Sequence, residues 1–60
     1  MKYDLAGGMF PTGTVDFDDD EIRSVSYKYE ALRIDLKNGQ TYYVSRARYE
    51  EKFSREGWLR

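Results

Sequence analysis

The stretch Leu32–Val44, LRIDLKNGQTYYV, constrains the fold more than any other part of the chain. Two alternating apolar runs meet at Asn38-Gly39, a strong short-range signal for a β-hairpin. Successive strand residues point to opposite faces, so Tyr42 and Tyr43 cannot both enter one core. The length of the turn decides between them. A two-residue Asn38-Gly39 turn would set Leu36 opposite Thr41, Ile34 opposite Tyr43 and Leu32 opposite Ser45. A three-residue loop, Lys37-Asn38-Gly39 with Gly39 left-handed in a bulge, would set Leu36 opposite Gln40, Ile34 opposite Tyr42 and Leu32 opposite Val44. A slip of one residue turns every side chain over. Only the second register gathers Leu32, Ile34, Leu36, Tyr42 and Val44 on one face and leaves Arg33, Asp35, Lys37, Thr41, Tyr43 and Ser45 on the other. It predicts Tyr42 inward and Tyr43 outward, opposite Arg33.

The neighbouring segments extend this pattern. Val25, Tyr27 and Tyr29 alternate with Ser24, Ser26 and Lys28, a second period-2 run, with Glu30 and Ala31 as its tight connection to Leu32. Lys2–Leu5 and Val15–Phe17 read as short strands, and 6–14, with three glycines and the only proline, reads as a loop. Beyond Val44 the period changes. Ser45 is a good N-cap, Tyr49 and Phe53 are four apart with Ala47 at the margin, and Glu51 precedes Arg55 by four. Gly57 stands where a left-handed residue stops a helix, with Phe53 and Trp58 placed for the contact of a Schellman motif. The fold class expected is α+β: a three- to four-stranded antiparallel sheet with one C-terminal amphipathic helix packed on one face. Residues 1–60 make one domain, with an acidic N-terminal strand and loop region over 1–21, antiparallel hairpins over 22–45 and the helix over 46–56.

Composition removes most chemistry. With no histidine and no cysteine, the chain lacks the usual base near neutral pH, a thiol nucleophile, disulfides and soft metal ligands. No serine has a candidate base partner, and a domain of 60 residues has little depth in which to retune carboxylates. No enzymatic activity and no cofactor are expected. Asp16, Asp18 and Asp20 match positions 1, 3 and 5 of a calcium-binding EF-hand loop, but Glu21 stands where that loop needs glycine and Tyr27 where it needs glutamate, so no metal site is expected. There is no apolar run of membrane-spanning length and no leader-like segment after Met1-Lys2, and the lack of cysteine suits a reducing compartment; a cytoplasmic protein is expected.

What remains is binding, and charge indicates where. Residues 1–21 hold six acids against Lys2 alone, a net −5, whereas 22–60 carry a net +4. Asp16, Asp18, Asp19, Asp20 and Glu21 put five acids into six residues. A run of this kind serves either as a solvated turn or as an anionic strip that occupies a basic channel built for phosphates. Tyr43, and Phe10 in the GGMFPTG loop, would add aromatic anchors. The expected partner is a larger protein or ribonucleoprotein complex with a basic surface. The alternative is direct nucleic-acid binding through Arg23, Arg33, Lys37 and Tyr43, opposed by a pI near 5.3.

Two resemblances bear on these readings. From Ile22 to Phe53 the spacing Ile22-x-x-Val25-x-Tyr27, Leu32-x-Ile34-x-Leu36-Lys37-x-Gly39, Tyr42, Val44, then Tyr49 and Phe53 resembles KTSC-type small domains. That resemblance implies their fold and, in the alternative reading, a nucleic-acid-binding role. The Lys-Thr-Ser-Cys-like signature that names those domains is absent; Glu56-Gly57-Trp58 stands in its place. In size, acidity and lack of catalytic residues the chain is similar to small phage-encoded inhibitors, anti-CRISPR proteins among them. This second resemblance implies an acidic single domain that blocks a basic nucleic-acid channel by binding it.

Overall fold

The computed structural model describes residues 1–59. In chain order the elements are β1 (Lys2–Asp4), β2 (Thr14–Asp16), a 3₁₀ turn (Asp19–Glu21), β3 (Ile22–Lys28), β4 (Ala31–Leu36), β5 (Thr41–Ser45) and α1 (Arg46–Arg55). The class is α+β, as expected. The strands form two antiparallel sheets rather than one: a β1-β2 hairpin and a three-stranded β3-β4-β5 meander. A Leu5–Val44 bridge and the Ala6 N–H donating to the Tyr43 carbonyl at 2.9 Å tie the hairpin to β5.

The β4–β5 register is the one set by a three-residue loop. Leu32 lies opposite Val44, Ile34 opposite Tyr42 and Arg33 opposite Tyr43. Gly39 has φ 93°, and the Leu36 N–H donates to the Gln40 carbonyl at 2.8 Å. A left-handed residue closing such a loop is what glycine provides without Cβ strain. Leu32, Ile34, Leu36 and Val44 are buried and Tyr42 packs against them, while Tyr43 faces the other way.

The β3–β4 connection is displaced by one residue from the expected one. The turn residues are Tyr29 and Glu30; Ala31 is a buried strand residue paired with Lys28 and Ser45. Tyr29 therefore does not extend the apolar alternation. It sits in the turn with φ 54° and is 71% exposed, and Tyr27 is 44% exposed. Val25 alone of that trio is buried. A bulge at Arg23, between the Ile22–Leu36 and Ser24–Asp35 pairs, shifts the phase so that Ile22 and Val25 both reach the core.

Helix α1 is capped at both ends. The Arg48 N–H donates to Ser45 Oγ at 3.3 Å. At the C-terminus the Gly57 N–H donates to the Ser54 carbonyl at 3.1 Å and the Trp58 N–H to the Phe53 carbonyl at 2.9 Å, with Gly57 at φ 86°. These two bonds are the Schellman pair. Phe53 is fully buried, but Trp58 is only half-buried; the residue after it, Leu59, enters the core. Ala47 is exposed, not at a packed margin, because the helix turns that face toward solvent.

Candidate functional site

The acidic run folds into a small built structure at the start of β3. The Glu21 carboxylate accepts from the Asp18 N–H at 2.7 Å, and the Asp18 carbonyl accepts from the Glu21 N–H at 2.9 Å. The second bond is the backbone closure of a single 3₁₀ turn and the first is the Glu21 half of a capping box, so Glu21 fixes the backbone as well as carrying charge. The Lys37 N–H donates to the Glu21 carbonyl at 2.9 Å and moors the turn to the end of β4. Asp16 and Asp18 take the Met1 ammonium at 3.0 and 3.4 Å, and these contacts raise that amine's pKa, the Asp16 hydrogen bond most of all.

Asp19 has a different place from its neighbours. It is half-buried and accepts from the Tyr3 hydroxyl and from Lys52 Nζ, the latter at 2.8 Å. Partial burial pushes its carboxyl up, but the hydrogen bonds from Lys52 and Tyr3 outweigh this and leave its pKa below the ordinary value. Burial and the bond to Asp19 push the Tyr3 phenol up to about 12. Burial lowers the Lys52 pKa and the bonds to Asp19, Glu56 and Tyr3 raise it further than that, so the ammonium stays charged. The Tyr3 ring is fully buried, stacked on Phe17 at 4.6 Å and edge-on to Tyr49 at 5.0 Å. Asp19 is thus the link that locks the acidic turn onto β1 and α1. Sequence reading placed it on the presented strip; the signal missed was the Lys2-Tyr3-Asp4-Leu5 alternation, which turns Tyr3 toward that turn.

With Asp19 committed inward, the exposed acids are Asp16, Asp18, Asp20 and Glu21, and the last three cluster. Asp18, Asp20 and Glu21 are exposed, and one carboxylate oxygen from each lies within 4.8 Å of the other two. Asp20 makes no hydrogen bond or ion pair among the described residues. Exposed acids of this kind offer electrostatic attraction to a basic surface.

The two aromatic candidates meet each other instead of solvent. Phe10 and Tyr43 stack at 4.7 Å with planes 23° apart, so the 6–13 loop lies over the outer face of β5. Both rings are half-buried. The same outer face holds a closed polar network: Asp35 accepts from Thr41 Oγ1 at 2.8 Å, from Arg33 Nε at 3.2 Å and from Ser24 Oγ at 3.2 Å. Partial burial pushes the Asp35 carboxyl up, and these donors outweigh it and hold it below the ordinary range. Arg33 and Tyr43, two of the four residues named for nucleic-acid contact, are therefore engaged within the chain; Arg23 and Lys37 remain exposed. Among the described residues no helix is long and apolar enough to cross a membrane.

No family model, no curated protein and no solved structure matches the chain.

Proposed function

We propose that this protein is a non-catalytic binding protein that sets the exposed carboxylates of Asp18, Asp20 and Glu21 against a basic surface of a larger partner, one that handles nucleic acid, and so competes with that nucleic acid. The observation that carries the reading is the placement of these three acids, within 4.8 Å of one another on one exposed turn. The turn is held by the Glu21 carboxylate on the Asp18 N–H and by the Asp19 bonds to Tyr3 and Lys52, so it meets a partner already ordered and loses little conformational freedom on binding. An inhibitor of the anti-CRISPR type has this mode of action. The nucleic-acid-binding alternative has less support, because Arg33 and Tyr43 are already occupied by Asp35 and Phe10.

Affinity capture from the cells that express the protein tests this, with the parent and an Asp18→Asn/Asp20→Asn variant as baits. Asparagine keeps the N-cap role at residue 18 and leaves Asp19 untouched. The parent is expected to retain a basic nucleic-acid-binding complex, more strongly after nuclease treatment, and the variant to lose it. Equal capture by both baits, or a direct gel shift of single-stranded RNA or DNA by the parent, would refute the reading.

A further inference from the structure

The acidic turn leads into strand β3, and the outer edge of that strand has no part in the proposal above. The order β3-β4-β5 leaves two edges. The edge of β5 is covered by Leu5 and Ala6, which bridge to Val44 and Tyr43. The edge of β3 is open. Apart from its ladder with β4, no backbone hydrogen bond among the described residues reaches Arg23–Lys28. At seven residues β3 is also the longest strand. A long unpaired edge is a template for a further strand.

The ladder decides which backbone groups point outward. Lys28 and Ala31 close a two-residue turn, so they form a hydrogen-bonded pair, and such pairs alternate along an antiparallel ladder. Ser24, Ser26 and Lys28 therefore bond to β4. The N–H and C=O of Val25 and Tyr27 point to the open edge. Edges are commonly blocked by charge, proline or a bulge. Here the bulge lies at Arg23 and the one lysine at 28, the two ends of the strand. Between them Ser24-Val25-Ser26-Tyr27 has no charge, no proline and no glycine. Helix α1 packs on β4 and β5 and leaves Tyr27 44% exposed beside this edge.

The charges at the two ends select the occupant. Arg23 stands at one end, and Glu30 lies in the turn at the other. Both are exposed, and neither side chain makes a hydrogen bond or ion pair among the described residues. An antiparallel copy of β3, related by a two-fold axis at Ser26, brings Arg23 of each copy to Glu30 of the other. In that register Val25 faces Tyr27 of the second copy, so the outward N–H and C=O groups of both exchange hydrogen bonds. An aromatic ring beside a β-branched side chain is a favourable cross-strand pair. Ser26 faces Ser26. The Lys28 ammonium, 5.2 Å from its own Tyr29 ring centroid, comes opposite Ser24, whose hydroxyl donates to Asp35 at 3.2 Å. That cation therefore arrives beside an acid. Arg23 meets the Tyr29-Glu30 turn, which offers a ring 71% exposed as well as the carboxylate. Asp18 and Asp20 lie beyond the overlap.

We propose that two copies of this protein join through β3, antiparallel about Ser26, into one continuous sheet. The contact is independent of the acidic turn and leaves that turn open in both copies. A strand-edge contact is smaller than the ~800 Å² per partner of a standard interface, so the dimer forms in a concentration-dependent way.

Sedimentation equilibrium of the full chain over a concentration series, combined with amide hydrogen exchange, tests it. The parent is expected to pass from monomer to dimer as concentration rises to about 1 mM, with the Val25 and Tyr27 amides exchanging more slowly in the dimer. Arg23→Glu and Glu30→Arg should each weaken association about tenfold or more, and Arg23→Glu/Glu30→Arg together should restore it. Neither residue is paired within the chain, so all three variants should melt as the parent does. Tyr27→Pro removes an outward N–H and no bond to β4, and should leave only monomer. Asp18→Asn/Asp20→Asn should associate as the parent does, which separates this contact from the acidic turn. A parent that stays monomeric throughout the series would overturn the proposal. So would a dimer whose Val25 and Tyr27 amides exchange as in the monomer, or a double reversal that associates no better than either single one.

Discussion

Tyr3→Phe removes one hydroxyl and leaves the buried ring in place. The hydroxyl donates to Asp19, whose other partner is Lys52. Hydrogen bonds to charged groups contribute about 1.5–3 kcal/mol. The Asp19 side chain is 35% exposed, so water can take the vacated position and the lower end applies, about 1.5 kcal/mol. For a 60-residue chain the whole margin is roughly 3–9 kcal/mol, at ~0.05–0.15 kcal/mol per residue. At about 4–8 °C per kcal/mol for a domain of this size, the midpoint should fall by about 6–12 °C. Tyr3→Ala also loses a fully buried ring, stacked on Phe17. At about 3–5 kcal/mol that variant should lose a large part of the margin and melt well below Tyr3→Phe. Thermal and urea melts followed by circular dichroism separate ring from hydroxyl. The alkaline limb adds a second readout. The Tyr3 pKa rises from 10.0 to about 12 on folding, so its contribution is complete below pH 10 and is lost as pH rises from 10 toward 12. Lys52 acts in the same direction in both proteins. The parent should therefore lose more stability over that interval than Tyr3→Phe. Identical midpoints at neutral pH together with identical alkaline slopes would show that the Tyr3–Asp19 bond does not hold the turn.

Other substitutions and conditions probe the remaining joints. Asp19 and Asp35 have pKa values below the ordinary 3.8, so the stability they contribute is present above that pH and is lost as pH falls through their folded values; the urea midpoint should drop on acidification below about pH 4. Gly57→Ala should cost about 1 kcal/mol in denaturant melts, because φ is +86° and the added Cβ meets no atom within 4 Å. A double-mutant cycle of Phe10→Ala and Tyr43→Ala should give a coupling of about 0.5–1.5 kcal/mol for the stacked pair, and additivity would show that the loop does not rest on β5.

Much of this fold is legible in the sequence, for local reasons. The Leu32–Val44 register follows from binary pattern plus one glycine, and a single slip would have put Tyr43 and Ser45 in the core. The helix follows from Ser45, Gly57 and the Tyr49/Phe53 spacing. The displaced β3–β4 turn was hidden because Tyr29 continues an apolar alternation and occupies a position where a glycine would have announced the turn. The bulge at Arg23 carries no marker residue, so the phase shift it makes between Ile22 and Val25 has no local signature. At the candidate site, the acidic run is obvious in the sequence, but its division of labour is not. Asp19 differs from Asp18 and Asp20 only through contacts 16 and 33 residues away, with Tyr3 and Lys52. The engagement of Phe10 with Tyr43 is likewise non-local, set by the return of the 6–13 loop across β5.

Binding through the acidic turn is tested most directly by the salt dependence of affinity for the captured partner, measured for the parent and for Asp18→Asn/Asp20→Asn. Exposed carboxylates facing a basic surface predict an affinity for the parent that falls steeply as ionic strength rises. The double variant should bind about tenfold or more weakly at low salt and show a shallower dependence, with an unchanged melting midpoint to show that the turn is still formed. Equal affinities with parallel salt dependences would contradict it, and would leave Asp18, Asp20 and Glu21 as a solvated turn that starts β3.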